Sequence, residues 1–298
     1  MSGIRIAHLI NPVKVGEERD LSWQQPITFE SMRIAKDFIY DHNVNSGGIL
    51  GEVDVEHFAC FYPEDEDMVP DGFIKVDPLK ESTSGKFKVE RKLPYFKEML
   101  DRLYEVSDAD YFIQTNADIG LQPYFYLLIK QLIDDGIESF CINKRIIPES
   151  FVESIMPKNM PLPLVWSFIG GNHAGHDCFV FKRELYPKLK IGKIVMGTPW
   201  SEATLIASLV AFSENFKVFK YANATFHLGD RRVWIGHELN DYRIHNTNEF
   251  ARILKMLSKK NENILEHETI RYLLGKLKTE VKGYRNEVYS QDCWDLVK

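Results

Sequence analysis

The first apolar run, Ile4-Arg5-Ile6-Ala7-His8-Leu9-Ile10, is stopped by Asn11-Pro12. A short run bounded by turn residues predicts a buried strand. From Pro26 to Tyr40 the residues Phe29, Met32, Ile34, Ala35, Phe38 and Ile39 recur at helical spacing. Val53 to Phe61 alternates and then turns apolar, giving a second strand, and Phe73 to Val76 a short third. Leu93 to Val106 has the pattern of an amphipathic helix leading into an apolar strand from Tyr111, and Pro123 to Ile133 that of another helix, with Pro at a favoured first-turn position. Ser139 to Ile147 returns as a strand, Pro148 to Pro163 is proline-rich and irregular, and Cys178 to Phe181 reads as a strand. Ser201 to Phe212 is predicted helical and Phe216 to Phe226 extended. Beyond Gly236 the pattern is helical and charged, with one stripe of Phe250, Ile253, Leu254 and Leu257 and a second of Ile270, Leu273, Leu274 and Leu277.

This alternation of strand and helix predicts an α/β fold, a mostly parallel sheet covered by helices, over residues 1–235, with a helical C-terminal extension over 236–298. At 298 residues the chain has room for both. With 44% hydrophobic and 27% charged residues it reads as an ordinary globular protein, and a net charge of −6 gives no footing for nucleic acid. Cys60, Cys141, Cys178 and Cys293 lack metal-type spacing, which suggests buried thiols in a reducing compartment. No signal peptide opens the chain and no apolar run approaches the roughly 20 residues that cross a bilayer. The expected location is cytoplasmic.

The chemistry concentrates in Asp110-Tyr111-Phe112-Ile113-Gln114-Thr115-Asn116-Ala117-Asp118-Ile119. This run delivers Asn116 and Asp118 to the carboxyl end of a strand, where ligands of open α/β sheets gather. Two oxygen-bearing side chains two residues apart on a strand point the same way, which suits a hard divalent cation. Asp118 could equally cap the helix near Pro123. No G-x-G-x-x-G follows the first strand, no G-x-x-x-x-G-K-[ST] occurs, and G-x-S-x-G is absent, so dinucleotide, P-loop and nucleophile-elbow sites lack support. What remains, in order, is Asn116/Asp118, Gly170-Gly171-Asn172, His176-Asp177, Trp200-Ser201-Glu202 and His227.

That series resembles the GT-A fold of nucleotide-sugar-dependent glycosyltransferases over roughly residues 4–235. In that family a D-x-D-type motif ending a central strand holds Mn²⁺ or Mg²⁺ against the donor diphosphate. Asn116-Ala117-Asp118 matches it with Asn in place of the first Asp. Gly170-Gly171-Asn172 is similar to the glycine-containing loop that shapes the sugar and acceptor pocket, with His176 and Trp200 beside it. Glu202 looks like the acid that acts as base in inverting members, Asp177 being its rival. His227, in Ala224-Thr225-Phe226-His227-Leu228-Gly229, matches the His completing the metal shell. Asn11, Arg91 and Lys92 join Asn116 and Asp118 on the donor side. The resemblance implies a UDP-, GDP- or dTDP-sugar donor, a glycan or lipid-linked acceptor and a place in polysaccharide biosynthesis.

The physical logic agrees. Departure of a nucleoside diphosphate leaves charge that a metal stabilises as a Lewis acid, and the attacking hydroxyl needs a carboxylate to take its proton. Asn116 is a poorer cation ligand than a carboxylate. Other readings stand beside these. His227 could be a hydrogen-bonded turn histidine, Glu202 a first-turn carboxylate favoured by the helix dipole, and Trp166, Trp200 and Trp234 core residues. His173, His176 and Asp177 could bind a metal themselves. Residues 252–285 carry nine Lys/Arg against four Glu, which fits either contact with an anionic membrane or a solvated face. Two other classes remain open: a sugar-phosphate nucleotidyltransferase, disfavoured by His8-Leu9-Ile10-Asn11-Pro12 where a basic glycine-rich loop is usual, and a non-catalytic nucleotide- or glycan-binding module.

Overall fold

The computed structural model describes residues 3–45, 52–155, 162–229, 240–283 and 288–298, with backbone alone for 153–155. Its strands are β1 (Ile4–Ile10), β2 (Val53–Ala59), β3 (Ile74–Lys75), β4 (Tyr111–Thr115), β5 (Ile119–Leu121), β6 (Ser139–Ile147), β7 (Gly171–Lys182), β8 (Phe216–Phe219) and β9 (Thr225–Leu228). They form one sheet in the order β3-β2-β1-β4-β7-β6-β9-β5, with β8 beside β6. The pairs β3–β2, β2–β1, β1–β4 and β6–β9 are parallel. β7 runs against both β4 and β6, and β5 against β9. The sheet is therefore mixed: the parallel half follows the strand–helix alternation, and the antiparallel strands gather beyond β4.

The helices are α1 (Leu21–Asn45), α2 (Phe96–Val106), α3 (Phe125–Asp134), α4 (Glu149–Ile155), α5 (Leu162–Ser167), α6 (Ser201–Phe212), α7 (Asn240–Ser258), α8 (Glu268–Gly283) and α9 (Gln291–Val297). The chain divides into two compact units, and the division falls within α2. The first comprises 1–78, 102–184 and 217–231; the second 79–101, 185–216 and 232–298. The boundary expected at 235 lies outside the described residues. Segments 79–101 and 185–216, which the sequence pattern assigns to the first domain, cluster instead with the C-terminal helices. Their apolar residues explain this: Tyr95 and Val195 pack with Tyr242 of α7, supported by Phe87, Val89 and Leu93.

In the first unit, Ile6 and Ile10 of β1, Ile113 of β4, Val180 of β7, and Met32 and Ala35 of α1 share one buried cluster. α1 also buries polar residues. Gln25 donates to and accepts from the Val13 backbone at 2.8 and 2.9 Å, Gln24 donates to the Leu228 carbonyl at 2.6 Å, and Ser31 Oγ accepts from the Leu121 amide at 2.9 Å. These bonds satisfy the buried groups and tie one helix to the loop after β1, to β5 and to the end of β9. The second unit is helical around α6, α7, α8 and α9. Lys255 of α7 meets Asp292 and Asp295 of α9 at 2.9 and 2.7 Å.

Both apolar stripes of the C-terminal region are largely buried, through Phe250, Ile253, Leu254 and Leu257 on α7 and Ile270, Leu273 and Leu277 on α8. They serve the core of their own unit. Arg285 of the basic segment and Trp234 lie outside the described residues. Among the described residues no helix is long and apolar enough to cross a membrane. The four cysteines are buried free thiols.

Candidate metal and donor site

β4 ends at Thr115, one residue before the motif. Asn116, Ala117 and Asp118 form a tight turn closed by the Ile119 amide donating to the Asn116 carbonyl at 3.1 Å. The period-two argument for Asn116 and Asp118 pointing together therefore does not apply; a turn places them. The Asn116 side-chain oxygen is 3.5 Å from Gln114 Nε2, at the far limit of a hydrogen bond.

β5 continues from this turn and pairs with β9 so that Ile119 lies opposite His227. That register brings Asp118 Oδ2 to 3.3 Å from His227 Nε2, with side chains 28% and 16% exposed. Asp118 Oδ1 is buried with no hydrogen-bond partner. His227 Nδ1 is 2.9 Å from the Gly229 carbonyl. A carbonyl only accepts, so Nδ1 carries a proton and Nε2 faces the carboxylate. In the neutral ring two electron-rich atoms then oppose each other, an arrangement that a proton or a cation between them relieves. Burial disfavours the charged Asp118, yet the His227 hydrogen bond and charge override it and, with the Lys144 charge, hold the carboxyl at about 2. Burial likewise opposes the imidazolium, but Asp118 raises the His227 pKa above the ordinary value.

The turn after His227 depends on Gly229, whose φ is +83° and where a Cβ would meet Glu149 Oε2 at 2.7 Å. Its amide donates to the Ile147 carbonyl at 2.8 Å, which fixes the acceptor that orients the ring. Such an outer partner commonly sets the tautomer of a metal-binding histidine. The donor set fits a divalent cation: an orphaned carboxylate oxygen, an imidazole nitrogen released by its tautomer and the Asn116 amide nearby in sequence. Among the described residues no three His, Cys, Asp or Glu side chains gather as a metal cage. The group His173, His176 and Asp177 is included in that statement. A cation here would need oxygens from a ligand.

β6 and β7 break register beside this centre. Ile142 pairs with Cys178, Asn143 with His176, and Arg145 with Asn172. Asp177 is thus a surplus residue on β7, and bulges of this kind re-aim side chains. Asp177 meets Lys144, which the sequence reading missed, at 3.1 Å. Arg145, also missed, anchors the glycine loop: its guanidinium donates to the Ile169 and Gly170 carbonyls at 2.8 and 2.6 Å and to the Asn172 side chain. Gly170 has φ +66°, and a Cβ there would meet the Ile146 carbonyl at 2.4 Å. Gly171 and Asn172 are exposed, whereas His176 is buried. Asn11 donates to the Cys60 carbonyl at 2.7 Å, joining the ends of β1 and β2. After these strands a depression of about 430 Å³ is lined by Lys14, Pro63, Glu64, Glu66, Asp67 and Lys75. No motif marked it.

Glu202, Trp200, Arg91 and Lys92 belong to the second unit. Glu202 lies in the first turn of α6, with its carboxylate accepting from Ser201 Oγ at 3.2 Å. The turn before it is set by Asn246 of α7, wholly buried, which accepts from the Val195 amide at 2.9 Å and donates to Thr198 Oγ1 and the Pro199 carbonyl at 2.6 and 3.2 Å. Trp200 enters α6 with φ +70°. It is buried against Phe250, ring centroids 5.3 Å apart, with Lys276 Nζ 5.7 Å from the ring centroid. This packing is that of a core residue, one of the two roles the sequence allows. Arg91 and Lys92 lie in the loop before α2, where Thr83 Oγ1 donates to the Arg91 carbonyl.

No family model and no curated protein matches the chain. Among solved structures it is similar to S. aureus TarS 1–349 in complex with UDP-GlcNAc, at 9% identity over 99% of this chain and 84% of that one, TM-score 0.45. It is also similar to glucosyl-3-phosphoglycerate synthase from Mycobacterium tuberculosis with Mn²⁺, UDP and phosphoglyceric acid, at 13% identity over 85% and 78%, TM-score 0.45. The same enzyme with Mg²⁺ and UDP gives 13% identity over 86% and 80%, TM-score 0.43. These likenesses are too distant to assign an activity or a ligand.

Proposed function

We propose that this chain is a glycosyltransferase that moves a sugar from a nucleoside-diphosphate-sugar to an acceptor hydroxyl. The observation that carries the reading is the Asp118–His227 pair beyond the carboxyl end of β4, with Oδ1 orphaned and Nε2 directed at Oδ2 from 3.3 Å. Asp118 and His227, with Asn116 direct or through water, would hold Mn²⁺ or Mg²⁺. The bound ion supplies Lewis-acid stabilisation of the departing diphosphate.

The chain's own residues do the rest. Asp118 stays ionised, and the Gly229 carbonyl keeps a His227 proton on Nδ1, which leaves Nε2 for the ion. The Arg145-anchored loop 169–172 offers an ordered wall for the sugar or acceptor. Proton removal from the acceptor falls to a carboxylate. Glu202 is our first choice and gives an inverting reaction; Asp177 is already engaged by Lys144. The donor is UDP-, GDP- or dTDP-linked and the acceptor a glycan or lipid-linked hydroxyl.

The test is release of nucleoside diphosphate from a panel of such donors with Mn²⁺, with water as the default acceptor, beside calorimetry with UDP and GDP. Donor cleavage to the nucleoside diphosphate supports the reading. Pyrophosphate release from a nucleoside triphosphate and a sugar phosphate would replace it with nucleotidyl transfer. Tight nucleotide binding with no turnover for any donor would leave a binding module.

A further inference from the structure

We propose that Lys144 is an anion-binding residue of this centre, a cation aimed by the β6/β7 bulge to hold a diphosphate oxygen and to make metal entry depend on that diphosphate. The inference rests on the reading above for the identity of its ligand.

Three observations support it. First, Lys144 lies between two register breaks on β6, and the surplus residue on β7, Asp177, meets its ammonium at 3.1 Å. The contact is close but poorly aligned, since Asp177 Oδ2 lacks a well-directed hydrogen bond. The pair is therefore a charge contact, not a hydrogen-bonded lock. Second, parallel pairing places Ile146, two residues beyond Lys144 on the same strand, opposite His227. Its charge acts on both Asp118 and His227. Third, the Lys144 side chain is only 14% exposed. A lysine facing solvent would screen its charge; one held at this depth projects it into the site.

The consequence follows from charge. With Asn116 in place of a carboxylate, Asp118 is the one acid of the motif, and Lys144 opposes it. Lys144 repels a bare divalent cation, whereas a diphosphate meets a cation already in place. Diphosphate binding thus precedes or accompanies metal binding. Lys144 does not substitute for the metal; it prepares the anion that completes the metal's oxygen shell.

The experiment uses the full chain and two separate titrations, inorganic pyrophosphate without metal and Mn²⁺ without anion. Wild type is compared with Lys144→Gln, Lys144→Arg and Asp177→Asn, each checked by thermal melting. Lys144→Gln should weaken pyrophosphate about tenfold or more, as expected for a charge-assisted contact, while tightening Mn²⁺ several-fold. Lys144→Arg should preserve both affinities to within a few-fold, and Asp177→Asn should strengthen pyrophosphate. A general loosening of the fold moves both ligands in the same direction, so opposite signs identify the charge. Wild type failing to bind pyrophosphate overturns the inference, as does Lys144→Gln binding it within twofold of wild type or weakening both ligands together. Sugar transfer enters neither titration. A chain that binds pyrophosphate through Lys144 yet transfers no sugar refutes the proposed activity alone, and a transferase whose pyrophosphate affinity ignores Lys144 refutes this inference alone.

Discussion

Two histidine clusters share one sheet, and their partners give them opposite chemistry. His8 of β1 is wholly buried, with Nε2 2.8 Å from Thr115 Oγ1 and Nδ1 2.8 Å from the Tyr126 hydroxyl. The same hydroxyl lies 2.9 Å from His57 Nε2. All the direct partners are uncharged, so burial keeps both rings neutral. It lowers the His8 pKa well below the usual range, and, with the Lys36 charge, it brings His57 down to about 3. His227 is set against a carboxylate with an unpartnered oxygen, and its pKa moves the other way. A buried histidine thus declares its role through its neighbours: hydroxyls make it a brace, a carboxylate makes it a cation site. The two clusters adjoin in sequence, since the brace ends on Thr115 and the site begins at Asn116.

The largest test of that contrast is Asp118→Ala. Metal-dependent transfer should fall to background, a loss of roughly a thousandfold or more for several kcal/mol of Lewis-acid stabilisation, at temperatures where the variant is folded. Mn²⁺-dependent rates within tenfold of wild type would break the distinction.

Next in size is the base. Glu202→Gln, nearly isosteric, should retain donor affinity and lose about 10²–10⁴-fold in transfer rate. If Glu202→Gln works at a near wild-type rate and Asp177→Asn is dead, the base is Asp177.

The brace should answer differently. Tyr126→Phe removes the shared partner of two buried imidazoles and should cost about 2–4 kcal/mol of stability, seen in denaturant unfolding, with transfer retained at temperatures where the variant is folded. A large rate loss at unchanged stability would mean that the brace is part of the chemistry.

The smallest effect is the response to acid. Unfolded His57 takes up its proton near the ordinary 6.5, but the folded ring does so only near about 3. Between those values the unfolded chain binds more protons, so stability from this cluster is complete above about 6.5 and declines as the pH falls. His227 carries the opposite sign: its raised pKa stabilises the fold below 6.5, and that contribution is lost as the pH rises through the folded value. Melting temperature measured from pH 7 to 4 should fall, and His57→Gln should flatten the decline. An unchanged slope in that variant assigns the acid response to other groups.

The sequence pattern carried the framework further than the site. Ile4–Ile10, Ser139–Ile147 and Ser201–Phe212 read to the residue because each is a predominantly apolar stretch set off by its neighbours. α1 starts at Leu21, before the predicted Pro26, where Gln24 and Gln25 are buried through hydrogen bonds that no hydrophobic count registers. β7 reaches back to Gly171 through Gly171-Asn172-His173-Ala174-Gly175, which looks like a loop until its bulged pairing with β6 is seen. The predicted strand Phe216 to Phe226 divides at a turn where Asn223 has φ +51°. Within Pro148 to Pro163, helices α4 and α5 begin, and 156–161 lie outside the described residues. Asp118 and His227 were legible as residue types at strand ends, but their contact is set by β5–β9 register. Lys144 was not legible: on sequence it is one more polar residue in the trio Asn143-Lys144-Arg145, and only the bulge and Asp177 set it apart.

The most direct measurement of the central claim is UDP affinity by calorimetry with and without Mn²⁺, for wild type, Asp118→Asn and Asn116→Asp. If Asp118 and His227 form the cation site, Mn²⁺ tightens UDP binding to wild type by about tenfold or more, Asp118→Asn removes that enhancement while keeping the metal-free affinity, and Asn116→Asp enlarges it by adding a second carboxylate. The same Mn²⁺ enhancement in all three proteins would contradict the account and place the metal elsewhere.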